Sequence, residues 1–259
     1  MASRNTKLKP PPAFLLALEG RAPWELAASI AAWPLLRQAP RGDGHPVIVF
    51  PGLAASDLST LPLRAFLADR GYQPMGWDLR FNLGPRAGVL ERSLERVRRI
   101  RRESGRKVSL LGWSLGGVYA RELAKRAPDD VRCVVTLGSP FTGHPKANHL
   151  WRVFELASGH RLDASDEFAR VHAAPPVPTT SIFSRSDGIV AWQCCVQQAG
   201  NLAESIEVTA SHIGIGMNPA AWYAVADRLS QSARRWRPFH RDGWRRWLYQ
   251  DPYRAFSAG

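Results

Sequence analysis

Residues 110–120 read LLGWSLGGVYA, which places one serine between glycines, after an apolar run and before a helical pattern. Gly112, Ser114 and Gly116 form the pattern G-x-S-x-G. A tight turn from a strand into a helix projects a side chain clear of the sheet but crowds the positions two residues before and after it, and glycine relieves that crowding. A serine hydroxyl needs such a position, beside a base and NH donors, to act as a nucleophile. Because the pentapeptide alone is a weak signal, the candidacy of Ser114 depends on its setting in the chain.

That setting is a regular alternation of short β-rich runs and helical patterns, which begins at His45. The alternation is typical of an α/β domain with a mostly parallel central sheet flanked by helices. A last helix is predicted where Asn218 provides an N-cap and Pro219 a first helical residue. The predicted strands cover residues 46–52, 72–77, 107–113, 131–138, 179–186 and 205–211, and the other predicted helices cover 61–70, 87–102 and 115–127.

Three parts are predicted along the chain. Residues 1–43 form an N-terminal apolar helical arm, residues 44–231 form the α/β catalytic domain, and residues 232–259 form a basic tail rich in tryptophan. Since proline restricts helix interiors, we expect the helices of the arm to separate around Pro23 and to end near Pro34.

Residues 143–178 interrupt the alternation and predict a small helical cap inserted between two strands. Leu150, Trp151 and Phe154 in this cap are candidates for lining an apolar substrate pocket, and packing within the cap is an equally consistent interpretation. The histidines of this segment lack the spacing of a metal site such as H-E-x-x-H, so neither a metal nor a cofactor is predicted. They are His144, His149, His160 and His172.

The position of Ser114 predicts two partners in a fixed order, an acid after a later strand and a histidine after the last strand. Asp187 follows the strand predicted over 179–186 and opens the turn DGIV. His212 follows the strand predicted over 205–211 and precedes the last helix. Each residue alone has a structural interpretation, as a turn aspartate or as a hydrogen-bonded loop histidine. Together and in this order they predict a Ser-His-Asp triad.

Acyl transfer through a serine also requires NH donors for the oxygen that becomes negative. The NH of Leu115 directly follows Ser114 at a predicted helix N-terminus, where donor and dipole both favour negative charge. A second NH is predicted in the loop FPGLAAS, and Leu53 is the best candidate because Gly52 lets the backbone turn inward. An ordinary Pro-Gly turn at the end of a strand is the structural alternative.

The composition narrows the class of protein. The chain has 259 residues, 45% of them hydrophobic, which is enough for one large domain with a buried core. No apolar run approaches the roughly 18 residues of a membrane span, and the apolar patch at 13–18 is too short for the core of a signal peptide. Three cysteines, two of them adjacent, do not make a disulfide framework. We therefore predict a retained, cytoplasmic protein, either soluble or peripheral to a membrane.

The net charge of +13 is concentrated in two segments. In residues 91–107 the apolar residues fall on one helical stripe, which predicts that the many arginines form a solvated face. The tail at 232–259 interleaves Trp236, Trp244 and Trp247 with arginines. Such a mixture suits an anionic membrane surface, an acidic partner, or packing onto the domain with the charges outward. No specific contact with nucleic acid is predicted.

With these motifs, the chain resembles the α/β-hydrolase superfamily, and within it the lipase and carboxylesterase branch. The resemblance rests on GWSLGG, SRSDGIV, ASHIGIG and the FPGL loop, and it covers about residues 46–231. It implies the α/β-hydrolase fold and the catalytic roles of the three triad residues. Many lipases carry His-Gly in the oxyanion loop and a histidine before the nucleophile, where this chain has Pro51-Gly52 and Trp113.

The expected function is hydrolysis of a carboxylic ester, small or lipid-like, through an acyl-enzyme. Acyltransferases, thioesterases and amidases use the same triad, since fold and triad do not fix the substrate. A protein of a different class, which binds membranes or nucleic acid through its basic surface and keeps the hydrolase fold as a scaffold, is the less favoured alternative.

Overall fold

The computed structural model describes residues 8–142, 172–232 and 235–254. At their centre is a sheet of six strands in which every neighbouring pair is parallel. The strands are β1 (Pro46–Phe50), β2 (Gln73–Gly76), β3 (Val108–Trp113), β4 (Val131–Leu137), β5 (Thr179–Phe183) and β6 (Ala203–Glu207). Their order in space is β2-β1-β3-β4-β5-β6. The predicted α/β class and mostly parallel sheet are confirmed.

This order puts a topological switch point between β1 and β3. From β1 the chain moves outward to β2, then crosses back to β3 and continues in the opposite direction across the sheet. The two strands pair in parallel, with Phe50 at the end of β1 beside Gly112 near the end of β3. In open α/β sheets, the crevice outside the carboxyl ends of the strands at such a point is where ligands bind.

Helices cover both faces of the sheet. The side chain of Asn218 accepts hydrogen bonds from the NH groups of Ala220 and Ala221, at 3.0 and 3.3 Å, so the predicted cap of the last long helix is confirmed. The helices of the described residues are α1 (Ala13–Ala17), α2 (Ala22–Ala31), α3 (Trp33–Leu36), α4 (Leu61–Asp69), α5 (Val89–Ser104), α6 (Leu115–Arg126), α7 (Pro219–Ser230) and α8 (Arg245–Leu248).

Two apolar layers form most of the core, and a smaller buried cluster lies around Phe183 and Ile189. Alternate residues of a strand point to opposite faces, so Val47 and Val49 of β1 belong to the first layer and Ile48 and Phe50 to the second. The first layer packs α4 and α7 on the sheet, and the second packs α5 and α6. The predicted stripe of α5 is buried in the second layer or packs against it: Leu90, Leu94, Val97 and Ile100.

The N-terminal arm is divided differently from the prediction. It contains three α-helices, with a 3-10 turn over Leu18–Arg21 between the first two, rather than one or two helices. Pro23 and Pro34 lie in the first turns of α2 and α3, so the predicted separation falls just before Pro23, and the last helix of the arm ends at Leu36, near Pro34. A proline in the first turn is tolerated because the NH it lacks would have no partner within the helix.

The basic tail packs onto the domain through part of its aromatic content. Phe239 and Tyr249 are buried in the first layer, and the hydroxyl of Tyr249 donates to the carbonyl of Ala220 at 2.9 Å. Trp244 and Trp247 are exposed. The tail therefore combines an inward aromatic contact with outward tryptophans.

Most of the predicted cap lies outside the described residues, and so do its candidate pocket residues Leu150, Trp151 and Phe154. Those three assignments stay predictions. Across the ranges that the structure describes, no helix combines the length and the apolar character needed to cross a membrane. Cys133, Cys194 and Cys195 are all buried and free.

Candidate active site

Ser114 lies at the switch point, between the last residue of β3 and the first residue of α6. Its backbone has φ +52° and ψ −123°, outside the regions that residues with a side chain usually adopt. The NH of Ser114 donates to the carbonyl of Leu137 at 2.8 Å, which ties the turn to the end of β4. A strained serine held in this way is the geometry expected of a sharp strand-to-helix turn.

Three glycines make the turn possible. A Cβ on Gly112 would overlap the Cα of Gly117, and a Cβ on Gly116 would overlap the carbonyl oxygen of Phe50. A Cβ on Gly117 would overlap the hydroxyl of Ser139. The sequence pattern accounts for the first two glycines, and the close approach of α6 to Ser139, in the segment after β4, explains the third.

The structure brings the three residues of the predicted triad together. Ser114 Oγ lies 3.0 Å from His212 Nε2, and His212 Nδ1 lies 2.7 Å from Asp187 Oδ2. All three side chains are buried. The distances form one continuous hydrogen-bonded chain from carboxylate through imidazole to hydroxyl.

The carboxylate of Asp187 is fixed by its own turn. Its Oδ1 accepts the NH groups of Ile189 and Val190 at 2.9 and 2.7 Å, which leaves Oδ2 to face His212. Gly138, with φ +55°, lies beside both partners, and a Cβ there would stand 3.4 Å from Asp187 Oδ2. The acid is thus oriented by backbone donors before it contacts the histidine.

Every polar group of His212 has a partner. Beyond its two ring nitrogens, its carbonyl accepts from Trp113 Nε1 at 3.0 Å, and its NH donates to Glu19 Oε1 at 2.9 Å. Trp113 is the position at which many lipases carry a histidine. Here its indole anchors the backbone of the triad histidine, directly beside the serine.

The local charges act on the protonation of the imidazole. Burial lowers the pKa of His212, but the charge of Asp187, the hydrogen bond to Asp187 and the charge of Glu19 raise it. The net pKa lies above the ordinary histidine value of 6.5. The imidazolium is therefore stabilised, as a group that receives a proton requires.

The two predicted NH donors lie on either side of Ser114. Leu115 is the first residue of α6, where NH groups have no partner within the helix. Leu53 follows Gly52 in the turn after β1, and a Cβ on Gly52 would lie 3.3 Å from the Cβ of Ser114. Both candidates thus belong to backbone that adjoins the serine.

Several solved structures share the fold of this chain. Aspergillus fumigatus lipase B matches with a TM-score of 0.57 at 19% identity, over 76% of this chain and 57% of that chain. Paleococcus ferrophilus monoacylglycerol lipase matches at 0.54 and 17%, over 74% and 96% of the two chains. Bacillus licheniformis lipase BlEst2 matches at 0.52 and 15%, over 73% and 92%. The chain has the α/β-hydrolase fold.

The predicted resemblance to the α/β-hydrolase superfamily is thereby confirmed for the fold. The chain spans little more than half the length of the Aspergillus lipase, at 57%. The sequence matches no protein-family model and no curated protein.

Within this α/β-hydrolase fold, the N-terminal arm makes contacts with the triad loops that the sequence does not predict. Glu19 and Glu25 of the arm accept hydrogen bonds from backbone NH groups around Asp187 and His212. Their only trace in the sequence is that each interrupts an otherwise apolar stretch.

A second relay of the same residue types lies at the amino ends of β1 and β3, whereas the triad lies at the carboxyl ends of the strands. His45 Nδ1 is 2.6 Å from Asp43 Oδ1, and His45 Nε2 is 2.8 Å from Ser109 Oγ. Ser109 lies inside β3 and has 0% of its surface exposed, so no substrate can reach its hydroxyl. Burial lowers the pKa of His45 to about 4, although the hydrogen bond to Asp43 opposes the shift. We therefore interpret this relay as a structural hydrogen-bond network and not as a second active site.

Proposed function

We propose that the protein is a serine hydrolase that cleaves carboxylic esters. The observation that carries the proposal is the chain of contacts Asp187–His212–Ser114, at 2.7 and 3.0 Å, on a serine with a positive φ angle at the switch point of the sheet. The similar solved structures are described as lipases, which supports an ester as the substrate.

The proposed reaction begins with proton transfer. His212 Nε2 accepts the hydroxyl proton of Ser114 as Oγ attacks the ester carbonyl, while Asp187 holds the ring and stabilises its positive form. The tetrahedral intermediate collapses, and the imidazolium donates its proton to the departing alcohol. His212 then takes a proton from water, whose oxygen attacks the acyl-enzyme and releases the acid, returning the proton to Ser114.

The negative oxygen of each tetrahedral intermediate needs donors that are in place beforehand. We assign this role to the NH groups of Leu115 and Leu53, which adjoin Ser114 from α6 and from the turn after β1. The N-terminal dipole of α6 adds to the stabilisation, since positive partial charge collects at that end of a helix.

A fluorophosphonate probe tests the proposal directly. We expect it to label the protein at Ser114 and to leave Ser114→Ala unlabelled. The same substitution should reduce turnover of a short p-nitrophenyl ester by up to about a million-fold, as loss of a triad nucleophile does. The control is an unchanged melting temperature. A folded Ser114→Ala that retains turnover within about tenfold of wild type contradicts the assignment.

A panel of substrates determines which acyl groups and which leaving groups the protein prefers. Rates for p-nitrophenyl esters of increasing chain length, for the matching anilide and thioester, and with added alcohol as acceptor, measure the preference among ester, amide and thioester and between hydrolysis and transfer. The proposal requires the esters to be cleaved fastest, with water as the principal acceptor.

A further inference from the structure

We propose that Glu19 of the N-terminal arm is a positioning residue that holds the loops of His212 and Asp187 in register with each other. The inference rests on the proposed function, because it concerns the same triad. The arm thereby gains a role in catalysis, although it lies far from the triad loops along the sequence.

The contacts of Glu19 converge on both partners of the serine. Its Oε1 accepts the NH of Gly188, the residue after Asp187, at 2.7 Å, and the NH of His212 itself at 2.9 Å. Its Oε2 accepts the NH of Ile213 at 2.9 Å. One carboxylate therefore joins the backbone of the acid loop to the backbone of the histidine loop.

A carboxylate is well suited to this task. Glu19 is only 5% exposed, and a buried charge is costly unless strong hydrogen bonds satisfy it. Its three bonds to NH groups are charge-assisted, and such bonds are about twice as strong as neutral ones. A neutral side chain of the same shape has fewer acceptor sites and binds those NH groups less strongly.

The rest of the arm packs closely against the loops that carry Asp187 and His212. A Cβ on Gly188 would overlap the carbonyl oxygen of Leu15, and a Cβ on Gly214 would overlap the carboxylate of Glu25. Ser29 Oγ also donates to the carbonyl of Met217 at 2.6 Å. Both catalytic loops thus lie directly against the arm.

The other charged groups at this junction leave Glu19 as a distinct negative centre. Glu25 accepts the NH of Ser211 but pairs with Arg21 at 3.1 Å, and Arg21 also donates to Ser186. Among the described residues, Glu19 takes part in no ion pair, and its charge adds to that of Asp187 in raising the pKa of His212. Glu19 therefore acts on the imidazole both through the backbone and through its field.

Two substitutions separate these effects. Glu19→Gln removes the charge and replaces one acceptor with a donor, so we expect kcat/KM for a short ester to fall by about 100-fold, as a displaced catalytic group does. The ascending limb of its pH profile should also move to lower pH, because the imidazolium loses a stabilising charge. Glu19→Asp keeps the charge but not the reach, so it should lose rate while its limb stays near that of wild type.

Glu204→Gln is the matched control. Glu204 is also a buried glutamate that accepts a backbone NH, that of Phe239 at 2.7 Å, but it pairs with Arg228 away from the triad. We expect it to lower the melting temperature without moving the pH profile. A merely structural role for Glu19 would give the same result.

The outcomes distinguish the two levels of the proposal. Glu19→Gln with a rate within about twofold of wild type and an unshifted pH limb overturns the positioning role while leaving the triad intact. So does a loss of rate that merely follows the folded fraction measured by circular dichroism. Failure of the proposed function appears instead in wild-type protein that the fluorophosphonate does not label.

Discussion

The imidazole of His212 must be neutral before it can accept the proton of Ser114, so its pKa sets the lower pH limit of the proposed reaction. Because that pKa is raised above 6.5, we expect kcat/KM to rise with pH through an apparent pKa above this value. A pH-stat, which measures the acid released from a soluble ester, gives the profile. Activity that does not change between about pH 5 and 8 contradicts the role of His212.

Asp187→Asn tests the third member of the triad. Its carbonyl oxygen can still accept the NH groups of Ile189 and Val190, which turns the new amide NH₂ toward His212 Nδ1 and forces the wrong tautomer. We expect kcat to fall by about 10⁴-fold with little change in the melting temperature. In the control Glu207→Gln, which breaks an ion pair with Arg185, activity should persist. The reverse pattern would show that another acid serves the histidine.

At this scale, the sequence predicted the three side chains to which we assign the proposed chemistry. Ser114, Asp187 and His212 follow from strand ends and chain order. Glu19 does not, because its partners are backbone NH groups 169 to 194 residues away along the chain. A backbone donor leaves no residue pattern in the sequence, so only the folded chain reveals the contact.

The strand-to-helix turn depends on glycine in a way that can be tested. Gly112→Ala places a methyl group against the backbone of α6, which cannot yield as a flexible side chain would. We expect a loss of about 2 kcal/mol or more in the free energy of unfolding, at the upper end of overpacking effects, and displacement of Ser114. Urea denaturation and ester turnover measure the two effects.

Gly200→Ala is the corresponding control, since a Cβ there would meet only the Cβ of Ala203 at 3.8 Å. It should leave both stability and turnover near wild type. Equal behaviour of the two variants would show that α6 tolerates the methyl group.

The accuracy of the predicted elements follows from how local their signals are. β1 and β3 are buried throughout apart from a partly buried Trp113, so continuous apolar runs mark them in the sequence. The start of α7 follows from the cap at Asn218. The arm contains one helix more than predicted, because Pro34 suits the first turn of a helix as well as the end of one. β6 lies earlier than predicted, at Ala203–Glu207. It contains two buried glutamates, and charged residues are not expected in a buried strand.

A chain ending at Ser232 tests the tail. Removing Phe239 and Tyr249 exposes the first apolar layer, so we expect a lower melting temperature and a lower soluble yield. A melting temperature equal to that of the full chain contradicts a structural role for the tail.

The exposed face of the same tail carries a separate proposal, contact with an anionic membrane. Trp244 and Trp247 are 53% and 74% exposed among arginines. We expect the full-length protein to sediment with anionic vesicles at low salt, to be released as salt screens the charges, and to ignore neutral vesicles. Failure to bind anionic vesicles at low salt rejects this proposal. Since the tail also supports the core, Trp244→Ala with Trp247→Ala is a better test of binding than truncation.

The response of the whole molecule to acid should depend on the buried relay of His45. In the unfolded chain this histidine binds a proton below about pH 6.5, whereas in the fold it stays neutral until about pH 4. Between these values the unfolded state binds more protons, so stability is lost as pH falls. The difference in pKa corresponds to about 3 kcal/mol across the window.

Comparison of wild type with His45→Gln isolates this contribution. His172 also has a lowered pKa through burial, and it contributes equally to both proteins. The raised pKa of His212 acts above pH 6.5 and with the opposite sign, since its stabilisation is lost as pH rises. Urea unfolding at several pH values should give a flatter curve for the variant below pH 6.5. Parallel curves would contradict the role of His45.

The docking of the arm determines when the fold can be completed during synthesis. Residues 8–37 are synthesised before their partners at 186–218, which follow 165 to 194 residues later. The strands β1 to β4 can pair as they emerge, while the helices of the arm still lack their partner loops. The arm and the loops at 186–218 must therefore meet before the proposed active site is complete.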